Sequence, residues 1–460
     1  MDMTVFSNLV VQPFIGNTNF LPRWRFICMN IVTSFHAGSL WAELMNEDDY
    51  PLRAVPQSAR KSFFSLALLL LGFTLFTATM WAGGAVGTAF DLTTLLAVIG
   101  IGNLLLGFYA AALAWMAARS GLSSVLMARF ALGNRGSVLA DLLLGITQIG
   151  WYAWGTATIA DALVAFFEWP DMWRYPFIVF FGAAFCATAF IGYRGLDWLS
   201  RFAVPVMMIM IALSMTRAWQ DAGGVQGLAT RTPDGTMNWS MALTMIFGTF
   251  VSGATQASNW SRFARTPMQA IVATLLAFFI GNGLMVLVGA LGARVYSQAD
   301  IVEVLMLQGL AGIGILMLFL NLWTTQDNTI YNFAAAGCNL LRTSNRHAVT
   351  LGGAGIGTLL ALLGMDAMLV PFLVLLGTCI PPLGGVLFAN YLFHYKARFP
   401  ALEQSTLEAF HLPGLGAYVL GVIAAMLSPW LAPLAGIGIA FIAYPLIRAV
   451  TKPSAVLKPT

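Results

Sequence analysis

Charge is scarce in this sequence. Only 9% of its 460 residues are Asp, Glu, Lys or Arg, against roughly 25% in a soluble domain, while 59% are hydrophobic. A water-soluble core has no use for that much apolar surface. Cysteine is scarcer still: Cys28, Cys186, Cys338 and Cys379 are scattered, three of them in apolar stretches, and they offer neither a disulfide framework nor metal-ligand spacing. The histidines, His36, His347, His394 and His411, fall in the N-terminal stretch or near predicted helix ends. No nucleophile elbow, Walker-type phosphate loop, metal-helix motif or paired-carboxylate pattern occurs, so an enzyme signature is lacking. The net charge of +4 does not mark a nucleic-acid binder, because a membrane protein gathers Lys and Arg in its cytoplasmic loops for topological reasons.

What the sequence has in abundance is uninterrupted apolar length. Lipid offers no partner to backbone polar groups, so such a chain spans as helices or as a closed barrel, and barrel strands would alternate apolar with polar residues. Runs such as Phe177 to Ala189, Val204 to Leu213 and Ile271 to Leu291 are continuous, which selects helices. Reading the runs against their breakers predicts twelve spans, at approximately 62–88, 92–117, 138–167, 176–193, 198–217, 238–258, 268–293, 303–332, 348–364, 368–393, 413–428 and 431–450. With these limits the loop charges segregate. Arg60, Lys61, Arg119, Arg129, Arg135, Arg194, Arg201, Arg262, Arg265, Arg342, Arg346, Lys396, Arg398, Arg448 and Lys452 fall on one side, and Arg174, Arg217, Arg231 and Arg294 on the other. The richer side is cytoplasmic by the positive-inside rule, and an even number of spans puts both termini there. Residues 1–44 carry no clear signal-peptide pattern. They read as an N-terminal extension, disordered or upstream of a true start at Met45, followed by a cytoplasmic tail over 45–61; residues 451–460 form the other tail.

Two spans carry clusters of glycine and small hydroxyl residues in mid-membrane, Thr77 to Thr88 in the first and Phe247 to Thr255 in the sixth. Glycine costs about 1 kcal/mol in a helix interior relative to alanine. Paired clusters at corresponding positions of two halves are the pattern of a transporter with discontinuous helices. Close helix packing through small residues is the competing reading.

The eighth span holds Asn321-Leu322-Trp323-Thr324-Thr325-Gln326-Asp327-Asn328, in which six of eight residues are polar. Burying an unpartnered amide or hydroxyl costs roughly 2–7 kcal/mol, so this patch must face an ion, a substrate, water or another polar group. Adjacent threonine hydroxyls are hard oxygen donors suited to a small monovalent cation, and interhelical hydrogen bonding is the bland alternative. Asp327, an intramembrane carboxylate, is a functional candidate by default, here for an electrostatic or gating role. In the third span Gln148 and Trp151 project from one helix face. A glutamine amide can pair with the edge of a heterocycle, an indole offers a face for stacking, and Phe250 of the sixth span could close the opposite side.

The runs Val55-Pro56-Gln57-Ser58-Ala59-Arg60-Lys61, Met80-Trp81-Ala82-Gly83-Gly84, Ile101-Gly102-Asn103-Leu104-Leu105-Leu106-Gly107, Leu143 to Trp151 and Ile380-Pro381-Pro382-Leu383-Gly384-Gly385 resemble the bacterial cytosine permeases of the nucleobase:cation symporter-1 family. The resemblance covers residues from about 55 to about 450. It implies an all-α sodium-symporter-like fold, with two inverted five-helix repeats over 62–217 and 238–393 and two further helices over 413–450. It implies a secondary transporter of a bacterial inner membrane, importing cytosine or a close relative with sodium by alternating access and needing no other cofactor. Another heterocycle (hydroxymethylpyrimidine, a purine, allantoin) or proton coupling is the alternative. The cation would lie between the break of the first span, through backbone carbonyls near Gly72 and Leu75 or Phe76, and the eighth span, through Asn321, Thr324 and Thr325. The base would stack on Trp151 beneath Phe250, bordered by Phe76, with its polar edge toward Gln148, the backbone near Thr249 and the Gln326 amide. Where cytosine permeases read Thr-Thr-Asn-Asp-Asn this chain has Thr-Thr-Gln-Asp-Asn, which adds a methylene at Gln326.

Overall fold

Seven helices among the described residues begin at a side-chain cap supplied by the sequence. Ser62, Asp91, Ser123, Asn238, Thr266, Asp300 and Asn345 each accept a hydrogen bond from a backbone N–H in the turn that follows, satisfying donors that a helix start leaves orphaned. The computed structural model describes residues 49–230, 237–365 and 369–451. In chain order its helices are α1 (Phe63–Thr74), α2 (Thr77–Ala89), α3 (Leu92–Ser120), α4 (Ser124–Leu132), α5 (Val138–Phe166), α6 (Arg174–Ala184), α7 (Cys186–Ile191), α8 (Tyr193–Asp221), α9 (Gly224–Ala229) and α10 (Trp239–Gln256). They continue as α11 (Ser258–Ser261), α12 (Pro267–Leu275), α13 (Asn282–Tyr296), α14 (Ile301–Leu307), α15 (Ala311–Leu341), α16 (Arg346–Leu362), α17 (Leu369–Ala389), α18 (Leu412–Leu427) and α19 (Ala432–Val450). No strand ladder forms among the described residues; a lone parallel bridge joins Lys61 to Ala264. The extension at 1–44, the first residues of the expected tail at 45–48 and the stretch 452–460 lie outside the described residues.

Among the described residues, six helical segments are long and apolar enough to cross a bilayer: Leu92–Ser120, Asp171–Ile191, Tyr193–Asp221, Pro267–Tyr296, Leu375–His394 and Ala432–Val450. The bent pair α1 and α2 makes a seventh if counted as one span. Helices α5, α10, α15, α16 and α18 occupy the other expected positions but are shorter or less apolar. In α5 and α15 the reason is visible in the packing, where a large share of the residues, polar ones included, turn inward to other helices. Large apolar side chains face outward instead, among them Phe64, Phe108, Ile146, Phe180, Trp198 and Phe202, as expected for a chain whose solvent is lipid.

The two glycine clusters turn out to do different things. The first span is interrupted not within Thr77–Thr88 but just before it, where Leu75 (φ −75, ψ 75) and the extended Phe76 (φ −121, ψ 129) separate α1 from α2 with a bend of 59°. The cluster itself is unbroken helix laid directly on α13. A Cβ on Gly83 would overlap the Val286 carbonyl, one on Gly87 the Ala290 backbone, and one on Gly289 the Met80 carbonyl. Small residues there permit backbone-to-backbone approach. In the sixth span the cluster does contain the irregularity, with Phe250 at φ −133, ψ 16 inside α10.

Arginines close the helix ends. Arg60 donates to the carbonyls of Ala118 and Ala264, and Arg346 to those of Ala189, Phe190 and Ile191 while pairing with Asp49 at 3.1 Å. At the end of α2, Arg294 donates to the carbonyls of Gly87 and Phe90. Cations at C-terminal carbonyls satisfy orphan acceptors and the negative end of the helix dipole together.

Candidate functional site

The interruption at Leu75 and Phe76 leaves the last carbonyls of α1 and the first N–H groups of α2 without intrahelical partners. Asn321, in the middle of α15 and fully buried, reaches into the gap. Its Oδ1 accepts from the Thr77 N–H at 3.0 Å and the Thr77 hydroxyl at 2.6 Å, and its Nδ2 donates to the Leu75 carbonyl. One side chain therefore serves both half-helices. Thr324 and Thr325 follow on α15, their hydroxyls donating to backbone carbonyls of their own helix, Leu320 and Asn321. Gly72 sits in the last turn of α1 against Ser200 of α8, whose buried hydroxyl has no partner.

Beside the gap lies a cavity lined by Phe73, Phe76, Gln148, Trp151, Thr249, Phe250, Ser252, Thr325 and Thr329. The structure thus brings the predicted Phe76, Gln148, Trp151, Thr249 and Phe250 together. Phe76 meets Trp151 edge to face at 5.4 Å between ring centroids and Phe250 at 6.1 Å. Gln148 is 1% exposed and its amide is a buried polar group pointing into an aromatic surround. None of the lining residues is ionisable. The volume is about 10 Å³, near that of one water, so a ring-sized guest enters only as Phe76, Trp151 or Phe250 swings aside.

Two predicted residues lie elsewhere. Gln326 is not part of the lining; it packs on α5 at Gly155, where a Cβ would overlap its amide, and both of its amide atoms are buried and unpaired. The absent side chain at Gly155 is what makes that slot. Asp327 faces away from the aromatic cavity, accepting from the Thr188 hydroxyl of α7 at 2.9 Å and from the Asn328 amide at 3.0 Å. It has no ion-pair partner among the described residues.

Other contributors escaped the sequence reading. Trp154 stands 5.4 Å from Phe76 and 6.0 Å from Trp151, and Phe73 lies 4.9 Å from Phe250. Asn282, at the start of α13, accepts from the Thr79 hydroxyl at 3.1 Å and donates to Asn103 Oδ1 at 2.7 Å and to the Thr249 hydroxyl at 3.1 Å. It ties α2, α3 and the interrupted α10 together. The available signal was an asparagine in an otherwise apolar span, which rarely goes unpaired.

An all-helical membrane chain in which two interrupted helices meet at an uncharged, aromatic cavity has the construction of a permease. The family described as permease for cytosine/purines, uracil, thiamine, allantoin matches residues 54–431, and the chain belongs to it. The chain is 34% identical to the cytosine permease of Escherichia coli (strain K12) over 390 residues, which is 85% of this chain and 92% of that protein. It is 25% identical to the hydantoin permease of Microbacterium maritypicum over 424 residues, covering 82% and 81% of the two. In fold it is similar to a nucleobase-cation-symport-1 family transporter in a closed conformation with bromovinylhydantoin bound, with a TM-score of 0.75 at 19% identity over 88% of this chain and 96% of that one. Its relatives are permeases rather than enzymes.

Proposed function

We propose that this protein imports cytosine or a closely related nucleobase together with sodium across the bacterial inner membrane, with both termini cytoplasmic. The observation that carries the reading is the uncharged aromatic cavity with the Gln148 amide at its wall, placed where two interrupted helices meet. A neutral flat ring with hydrogen-bonding groups along one edge matches that wall. Stacking on Trp151 supplies about 1–3 kcal/mol, and Gln148 offers both a donor and an acceptor. The 34% identity to a cytosine permease supports this choice of base; the hydantoin permease at 25% keeps a different heterocycle as the alternative. The architecture proposed with it is twelve spans, with inverted repeats over 62–217 and 238–393 and two added helices over 413–450.

The oxygens near the gap suit sodium as the companion cargo. The C-terminal end of α1 directs its negative dipole into the interruption, and the Leu75 carbonyl, Asn321 Oδ1 and the Thr324 and Thr325 hydroxyls are hard neutral donors. A cation on the Leu75 carbonyl displaces the Asn321 amide from it. Asn321 also caps α2 next to Phe76, which borders the base cavity. Ion and base therefore act on one element, and each raises the affinity of the other. Asp327, by holding α15 to α7 through Thr188, sets how freely those helices part during alternating access. The deciding measurement is cytosine binding to purified protein in sodium and in choline, with uracil, adenine, hypoxanthine, allantoin and hydroxymethylpyrimidine as competitors. Sodium should tighten binding and cytosine should compete best; equal affinity in choline refutes the coupling.

A further inference from the structure

A second cavity lies apart from the transport site, among residues of the end richer in lysine and arginine. It measures about 380 Å³ and is lined by parts of α3, the turn after α17 and the segment at 397–403, including Arg119, Tyr391, Arg398, Phe399, Leu402 and Glu403. That volume falls in the range of about 300–1,000 Å³ typical of small-ligand pockets. Tyr391 is fully buried and lines the cavity. The Arg119 guanidinium interacts with the Tyr391 hydroxyl and rests over the Trp115 ring at 5.3 Å. Arg398 also opens onto the cavity, and neither arginine is paired with a carboxylate among the described residues. A buried phenol in contact with the Arg119 guanidinium, with Arg398 on the same cavity wall, is a site for an oxyanion, since guanidinium groups match phosphate geometry.

The rest of the lining narrows the class. Phe399 and Tyr391 stand 4.8 Å apart between centroids, and with Leu402 and Pro400 they form an apolar wall. The Glu403 carboxylate faces the same space without bonding either arginine. A carboxylate repels a bare phosphate but accepts hydrogen bonds from the diol of a ribose. We propose that this cavity binds a nucleoside monophosphate: phosphate on Arg119, Arg398 and Tyr391, ribose hydroxyls on Glu403, base against Phe399. It is a site separate from the one that carries cargo. Ribosylation and phosphorylation of an imported base produce this class of anion, so occupancy would report that imported base is already being converted.

The test uses the full chain in phosphatidylcholine nanodiscs, with cytidine 5′-monophosphate as the probe in titration calorimetry. Saturable binding is expected, weakened about tenfold or more by Arg119→Gln or Arg398→Gln, with cytidine and inorganic phosphate each binding at least about tenfold more weakly than the nucleotide. Glu403→Gln, at an exposed position, should erase discrimination between the ribo- and 2′-deoxyribonucleotide and serves if an arginine variant fails to fold. The proposal is overturned by an absence of saturable binding, or by binding that neither arginine substitution alters. It is equally overturned if phosphatidylglycerol nanodiscs abolish nucleotide binding, which assigns the guanidinia to a lipid phosphate.

Discussion

Asn321 accepts the Thr77 backbone N–H at 3.0 Å and the Thr77 hydroxyl at 2.6 Å, so the first turn of α2 is capped by a residue 244 positions further along the chain. A helix start normally finds its cap in the residue just before it. Phe76 cannot serve, and the eighth expected span does so instead. Replacing Asn321 by Ala leaves the Thr77 N–H and the Leu75 carbonyl unpaired in a buried setting, at about 1–3 kcal/mol for each group. Asn321→Ala should lower the melting temperature and abolish sodium-stimulated uptake, while Asn321→Asp, which keeps the acceptor, should lose less. An unchanged melting temperature for the Ala variant contradicts the capping role.

Trp151 and Phe76 form one wall of the aromatic cavity. Trp151→Ala removes a stacking face and should weaken base binding by about 5- to 150-fold, from about 1–3 kcal/mol of stacking, with Trp151→Phe in between. Trp154→Ala, which withdraws support from Phe76, should reduce uptake by a smaller factor. Radiolabelled uptake across the three variants checks the order.

Gly83 lies where a Cβ would strike the Val286 carbonyl, whereas Gly100 of α3 has open space around its Cα. Gly83→Ala should therefore cost about 1–3 kcal/mol by overpacking. Gly100→Ala should be neutral or stabilising by up to about 1 kcal/mol, because alanine is the better helix former. Melting temperatures of the two variants in the same detergent separate local packing from a general effect of removing glycine.

His411 sits just outside α18, its Nε2 2.9 Å from the Tyr444 hydroxyl and its Nδ1 3.2 Å from Glu408. Burial holds the imidazole below its ordinary value of 6.5, against the opposing pull of Glu408. A folded-state value below the unfolded one means the unfolded chain takes up the proton more readily, so stability from this residue is present above about pH 6.5 and lost as pH falls through that value toward the folded one. The melting temperature should drop between about pH 7 and pH 5, the side of the imidazole range on which the charge appears, and His411→Gln should flatten the slope. An identical slope in the variant assigns the effect to other groups.

Much of the site was legible because its signals are local. The polar run from Asn321 to Asn328 stands out in an apolar background, and Gln148 and Trp151 share a face by helical spacing alone; the structure sets Gln148, Trp151 and Thr325 around one cavity. Gln326 did not follow, because its position depends on the missing side chain of Gly155 on a different helix. Asn282 and Trp154 are not legible in the same way, since a single asparagine or tryptophan gains its role from what it touches.

By itself the sequence determined that this chain crosses a membrane as helices and which family it belongs to, since apolar length and motif order are properties of the chain alone. Which glycine cluster interrupts a helix was decided only by tertiary structure. Both clusters weaken helix propensity equally well on paper, but Gly83 and Gly87 are used up in contact with the backbone of α13, while the real gap opens at Leu75 and Phe76, where Asn321 can satisfy the exposed backbone groups. A helix breaks where a neighbour offers its freed donors and acceptors a partner, and that partner is known only once the chain has folded.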